Sequence, residues 1–218
     1  MSNPKTLYLD LLTVPSKKSF NDLNTNEQEL WKWKSEKILP NESNFEKTYI
    51  ENAGIYAEFG KIGGFAIGYE SVKSNELKVK TFINQDEQLL LTEITDFLST
   101  SFSAYKMCAH HGKEFDYPFL ARRIIMNKIE LPLPLKILRT KPWLHPHLDT
   151  MDLWKFGDRK SFTPLALLAH ALGYKKLNLI GKGVIPNLYY QEQIKKLETI
   201  LSEELQALHF VYQQLRKV

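Results

Sequence analysis

The chain has 218 residues, of which 43% are hydrophobic, 25% charged and 12% aromatic. That length and core material suit one sizeable α/β domain and exclude a disordered chain. No run of about 18 apolar residues is present to span a membrane, and the lone Cys108 excludes both a disulfide framework and a cysteine zinc cluster. The start, MSNPKTLYLD, lacks an apolar signal segment, so a cytoplasmic location is expected. The net charge of +4 is mild but unevenly spread. Residues 104–186 hold 14 Lys/Arg against 6 Asp/Glu, whereas residues 1–103 hold 11 against 15. A basic later segment suits a one-sided polyanion-binding surface, although scattered solvated cations give the same count.

Residues 5–13 (KTLYLDLLT) are rich in Leu and predict a buried strand, closed by Pro15 and Ser16. Residues 25–38 predict a helix with Leu30, Trp31 and Trp33 as its apolar side. Residues 60–69 and 76–83 predict a hairpin pair of strands. Leu89, Leu90, Leu91, Ile94 and Phe97 place a helix over 87–98, packed on that sheet, and 105–110 (YKMCAH) predicts a short strand. A further helix begins near Asp116 and runs through FLARRIIMN, followed by a Pro-rich loop and the stretch LDTMDLWKFGD. Thr163-Pro164 before LALLAHALG predicts an N-cap followed by proline at the first helical position, with Gly173 as the stop. Ile194, Leu197, Leu201, Leu205, Leu208, Val211 and Leu215 recur at spacings of three and four, which predicts a long amphipathic C-terminal helix. Strands and helices alternate without a linker or repeat, so a single mixed α/β domain over 1–218 is expected.

Among residues able to do chemistry, Asp10 stands out, because it lies between Leu9 and Leu11 in a strand that is otherwise apolar. A buried carboxylate without a partner is costly, so such an Asp has a metal, a hydrogen-bond network or solvent access. A second cluster, His110 to Asp116 (HHGKEFD), follows a strand and opens a helix. Adjacent histidines point to opposite sides of a strand and do not share one metal. Asp116, two residues before Pro118, also fits a helix N-cap. Cys108 fits a small buried hydrophobe, and His145, His147 and His170 show no mutual ligand spacing.

Four stretches in order carry a family resemblance: LYLDLLTVP at 7–15, AGIYAEFGKI at 53–62, AHHGKEFDYPFLARR at 109–123, and KPWLHPHLDTMDLWKFGDRKSFTPLALLAHALG at 141–173. On these the chain resembles the predicted 3′–5′ exonucleases related to the proofreading domain of family B DNA polymerases, DEDD enzymes of the ribonuclease H-like superfamily. The resemblance implies a mixed β-sheet flanked by α-helices. It also implies four carboxylates holding two Mg²⁺ or Mn²⁺ ions: a D-x-E on the first strand, the Asp of an H-N-x-x-x-F-D-like motif, and the Asp of a Y-x-x-x-D on the last helix. Residues i and i+2 of a strand face the same side, so D-x-E presents two ligands together. A metal pair about 3.5–4 Å apart activates water and stabilises the leaving oxygen.

The chain departs from that pattern. Asp10 matches the first ligand, but Leu12 occupies the Glu position. Asp116 matches the third, with His111 where the Asn is expected. Aligning KLETILSEELQALHF (196–210) by its hydrophobic spacing puts Glu203 at the Tyr position and Ala207 at the Asp position. No Asp occurs from Glu192 to Val218, and the loop KKLNLIGKG (175–183) lacks the acidic residues expected there. Asp10 and Asp116 alone would hold one weak ion at best. Glu203, one turn from Ala207, is a candidate substitute ligand, as are Asp149, Asp152 and Asp158.

Features that position a strand are separate from those that cut it. His111, Lys113, Phe115 and Arg122 are expected to contact nucleic acid, with Arg123, Lys136, Arg139 and Lys141 as further phosphate-neutralising candidates. Phe115, Tyr117, Trp143 and Trp154 offer stacking faces, core packing being the alternative for each. The resemblance implies single-stranded DNA or RNA as partner. Three function classes remain: a catalytically impaired exonuclease-like module that binds nucleic acid, an active metal-dependent 3′–5′ exonuclease with a rearranged site, and a non-catalytic scaffold for a protein partner.

Overall fold

The computed structural model describes residues 5–71, 76–137, 140–141, 144–158, 160–175, 179–181 and 183–217. Five strands, β1 (Thr6–Pro15), β2 (Gly60–Glu70), β3 (Leu77–Ile83), β4 (Lys106–Ala109) and β5 (Leu148–Asp149), form one sheet in the order β3-β2-β1-β4-β5. β1 to β3 make an antiparallel meander, while β4 and β5 run parallel to β1. Among the described residues eight α-helices flank the sheet: α1 (Thr25–Ile38), α2 (Phe45–Asn52), α3 (Glu87–Ser99), α4 (Asp116–Met126), α5 (Thr150–Lys155), α6 (Leu165–Ala171), α7 (Val184–Tyr190) and α8 (Ile194–Leu215). This is the mixed sheet with flanking helices that the sequence predicts.

β1 lies at the centre and is covered on both faces, which is why it reads as a nearly continuous apolar run. Its residues divide by parity. Leu7, Leu9 and Leu11 join Phe65, Ile67, Leu91, Ile94, Phe119 and Leu120 in a core beneath α3 and α4. Tyr8, Leu12 and Val14 join Ala66, Cys108, Tyr189, Leu197, Leu201, Leu205 and Leu208 beneath α7 and α8. Asp10 lies on that second face, the only acid in an apolar row of alternate residues. Cys108 is fully buried there, as a small hydrophobe would be.

Three local expectations need correction. On α1 only Trp31 turns inward, donating its Nε1–H to Thr48 Oγ1 at 3.3 Å within a cluster of Phe20, Leu23, Tyr49 and Ala53. Leu30 and Trp33 face solvent, since residues one and two positions from Trp31 lie on other sides of a helix. α6 begins one residue later than predicted, with Pro164 as its cap and no side-chain cap from Thr163. Thr163 instead offers its carbonyl to His110. Helices α2 and α7 were not anticipated. The first buries Thr48 and Asn52 beside Tyr49, and the second carries Pro186 within its first turn. Among the described residues no helix is long and apolar enough to cross a membrane.

Candidate functional site

Three parallel strands point their carboxyl ends at one region. Pairing of β1 with β4 ends at Tyr8↔Cys108 and that of β4 with β5 at Ala109↔Asp149. Beyond those pairs lie Asp10 on β1 and the loop 110–115 leading to Asp116, and Asp149 closes β5 beside them. Open α/β sheets place ligand sites outside the carboxyl ends of their strands, where neighbouring connections diverge. α8 packs across β1 and adds Glu204 from above.

Asp10 and Glu204 face one another, and their carboxyls are within hydrogen-bonding reach. Asp10 Oδ2 is shut off from solvent and has no hydrogen-bond donor. Burial holds the Asp10 carboxyl well above the usual range, and the charges of Glu204 and Asp116 raise it further. The Asp116 carboxyl is pushed up to about 7 by burial and by Asp149, against a hydrogen bond from the Leu11 backbone. Burial likewise raises Glu204. Two facing carboxylates cannot both ionise cheaply, so a shared proton or a cation belongs between them.

Asp149 has a different task. Its Oδ1 accepts from the backbone N–H of His111 at 2.9 Å and Met151 at 2.9 Å, and its Oδ2 accepts from Lys113 N–H at 3.1 Å. One carboxylate thus caps α5 and ties down the loop that delivers Asp116. The loop is tightly turned: His111 sits at φ 63, and Gly112 lies where a Cβ would collide with Ala109. His110 is held between Thr150 Oγ1 (2.9 Å) and Thr163 O (2.8 Å), and burial keeps its imidazole neutral. It therefore donates from Nε2 to the carbonyl and accepts at Nδ1. Both histidines lie beyond the end of β4, and the His111 ring meets Phe162 edge-on.

The remaining expectations fall as follows. Leu12 is 4% exposed and packed in the apolar cluster under α7 and α8. Ala207 is buried with Leu168, Ala169 and Val211 between α6 and α8. Glu203 is exposed, so the acid that meets Asp10 is its neighbour Glu204. Asp116 is no N-cap: α4 starts at Asp116 itself, and its side chain is buried in the site. Lys113 binds Asp152 at 3.1 Å, and Arg122 is exposed. Arg123 is buried in an ion pair with Glu87, and Lys136 pairs with Glu130. Phe115 packs on Phe119, and Tyr117 is fully buried with its hydroxyl donating to Leu148 O at 2.7 Å. Trp154 packs beside the α6–α8 cluster. Arg139 and Trp143, and residues 176–178 and 182 of the 175–183 loop, lie outside the described residues. Among the described residues, Phe156 and Phe162 are aromatics of this segment that face solvent.

Oxygen donors from β1, α4 and α8 have the right chemistry for a hard divalent ion, and the orphaned Asp10 Oδ2 lacks a positive partner. Among the described residues, however, no three acidic, His or Cys side chains converge with metal-holding geometry. With Leu12 in place of a second strand acid, these residues do not fit a two-ion centre.

No curated protein sequence matches the chain. Among solved structures it is similar to the family B DNA polymerase from the hyperthermophilic archaeon Pyrobaculum calidifontis, with a TM-score of 0.60 and 12% identity. That similarity covers 98% of this chain and 25% of the polymerase, so the chain spans about a quarter of that protein's length. The RNase_H superfamily model matches residues 49–207, well over half of the sequence. The carboxylates gathered at the ends of parallel strands thus sit in a chain that belongs to the RNase_H superfamily.

Proposed function

We propose that this chain is a single exonuclease-like domain that binds single-stranded DNA or RNA and in which the two-ion hydrolytic centre is incomplete. The observation that carries the proposal is Leu12: the strand position two residues after Asp10 holds an apolar side chain sealed in the core. Asp10 and Asp116, joined by Glu204 rather than Glu203, then hold one weakly bound Mg²⁺ or Mn²⁺ at most. When bound, such an ion would supply charge neutralisation at the carboxylates. The protein's own residues supply the rest: Asp149 orients the loop, and His111, Lys113 and Arg122 lie on the segment that meets phosphates. The free, buried Cys108 is compatible with a reducing, cytoplasmic setting.

One observation favours a second reading. Glu204 lies against Asp10, so a further carboxylate stands beside the Asp10 and Asp116 pair for an active exonuclease with a rearranged site. Digestion of a labelled single-stranded oligonucleotide with Mg²⁺ or Mn²⁺ separates the two. We expect no metal-dependent shortening, together with binding that weakens steeply as salt rises. Shortening by the native chain that Asp10→Asn abolishes would establish the active reading instead. Absence of binding at low salt would leave the protein-scaffold reading.

A further inference from the structure

We propose that the outer edge of β3 is a docking site for an extended segment of an acidic protein partner, added to the sheet as a further strand. β3 ends the sheet on one side and β5 on the other. The β5 edge is blunted by its length of two residues, whereas β3 offers seven. The ladder between β2 and β3 is bracketed by two hydrogen bonds, Ser71 N–H to Glu76 O at 2.9 Å and Asn84 N–H to Gly63 O at 3.2 Å. Its register is continuous from Gly64↔Ile83 to Glu70↔Leu77. Antiparallel pairs alternate between hydrogen-bonded and non-bonded. Lys78, Lys80 and Phe82 therefore bond to β2, while the N–H and C=O groups of Leu77, Val79, Thr81 and Ile83 point outward. Among the described residues none of these outward groups has a hydrogen-bond partner.

An open edge alone is a liability rather than a site, but this one has a cleft on each face. On the α3 face a cleft of about 560 Å³ lies among Lys78, Lys80, Phe97 and Phe102. On the α8 face a second, of about 520 Å³, is lined by Leu77 and Val79 and by His209, Phe210 and Tyr174. The Tyr174 and Phe210 rings meet there with centroids 5.2 Å apart. A strand laid on β3 sends its side chains alternately to the two faces, so each of its rows meets a formed recess. In this mode of recognition main-chain bonds supply affinity, and recesses for alternate side chains supply specificity.

Charge selects the occupant. Lys78 and Lys80 are exposed on the α3 face, and neither has a carboxylate partner among the described residues. The Lys80 ammonium lies over the Phe82 ring at 4.4 Å and the Phe97 ring at 5.4 Å, which holds it at the cleft. Residues opposite one another on neighbouring strands share a face, and opposite charges there attract. Acids at alternate positions of the added strand thus stand against the two lysines. The row between them faces Leu77 and Val79, which suits apolar side chains. A second copy of β3 would instead bring two more lysines to the edge, and like charges across a ladder repel. The edge lies two strands from β1 and uses none of the carboxylates, so this inference is independent of the nucleic-acid reading.

The test is fluorescence anisotropy of the full chain with a labelled peptide of four Glu-Val repeats, with thermal melting of each variant alongside. The native chain should bind it saturably and should not bind a Lys-Val peptide of the same length. Lys78→Glu combined with Lys80→Glu should weaken binding by about tenfold or more, with melting unchanged because both side chains are exposed. Thr81→Pro removes one outward N–H, a change that edge strands tolerate, and should weaken binding too. Residue-resolved hydrogen exchange should slow at the amides of Leu77, Val79 and Thr81 when the peptide is bound, which attraction by charge alone does not produce. Failure of the native chain to bind, binding that the paired lysine changes leave intact, or unslowed exchange at those amides refutes the proposal. Self-association of the native chain in analytical ultracentrifugation, abolished by Thr81→Pro, would give the edge to a second copy and refute it as well.

Discussion

The charge cluster at the site should be a source of instability that a neutral side chain removes. The Asp116 carboxyl titrates at about 7 in the folded chain against an ordinary value of 3.8. The folded chain therefore binds the proton more tightly than the unfolded one. Between those two pH values it holds more protons, so stability falls as pH rises through the window and the whole penalty is present above pH ~7. At about 1.36 kcal/mol for each pKa unit, the penalty amounts to about 4 kcal/mol at pH 8. Asp116→Asn abolishes it and keeps an oxygen to accept from the Leu11 backbone. That bond is weaker to an amide than to a carboxylate by about 1 kcal/mol, which leaves a net gain of roughly 2–3 kcal/mol. For a chain of this size the gain corresponds to a rise in Tm of about 5–10 °C. Differential scanning calorimetry in EDTA at pH 8 and pH 4.5 provides the assay, and the gap between variant and native should nearly close at the lower pH. A variant no more stable than the native chain at pH 8, or a gap independent of pH, would refute the reasoning.

Glu204→Gln should also raise Tm at pH 8, because burial keeps that carboxyl costly to ionise, whereas Glu203→Gln, on the exposed side of the helix, should leave it within about 1 °C. Glu87 accepts from Arg123 Nε at 2.9 Å and from Ile62 N–H at 2.7 Å, and it also pairs with Arg123 Nη2. Glu87→Ala leaves that guanidinium buried and unpaired, and urea denaturation should show a loss of about 3–5 kcal/mol. Trp31→Ala should cost about 3–5 kcal/mol as a buried aromatic, while Trp33→Ala, 57% exposed, should stay within about 0.5 kcal/mol. Equal effects of the two tryptophan changes in chemical denaturation would overturn the assigned face of α1.

The strands and long helices were legible because their apolar residues keep a strict period. The Leu run gives β1, and the Leu197 to Leu215 spacing gives α8 with its bounds. α2 was not legible, since its inward side chains include Thr48 and Asn52, whose burial depends on hydrogen bonds to Trp31 and the backbone. Nor was α7, where Pro186 mimics a loop signal. At the site, Asp10 and Asp116 could be named from the sequence, but aligning α8 by apolar spacing alone put Glu203 forward. The signal for Glu204 was nonetheless present. It lies three residues after Leu201 and four before Leu208, within the buried stripe, while Glu203 lies one step around the helix. The clamp formed by Asp149 was out of reach, because it joins residues 36 and 38 positions apart through backbone amides that carry no sequence signature.

Leu12 has a consequence for how the protein can change. With Val14, Ala66, Tyr189, Leu197 and Leu201 it forms a buried apolar cluster under two helices. A carboxylate placed there would arrive without a donor, at a penalty of several kcal/mol. Domains have only about 5–15 kcal/mol to lose. Introducing an acid at this position would therefore cost a large share of that margin unless the side chains packed over it changed as well. The packing of α7 and α8 thus limits which side chains can stand beside Asp10 on that face of β1.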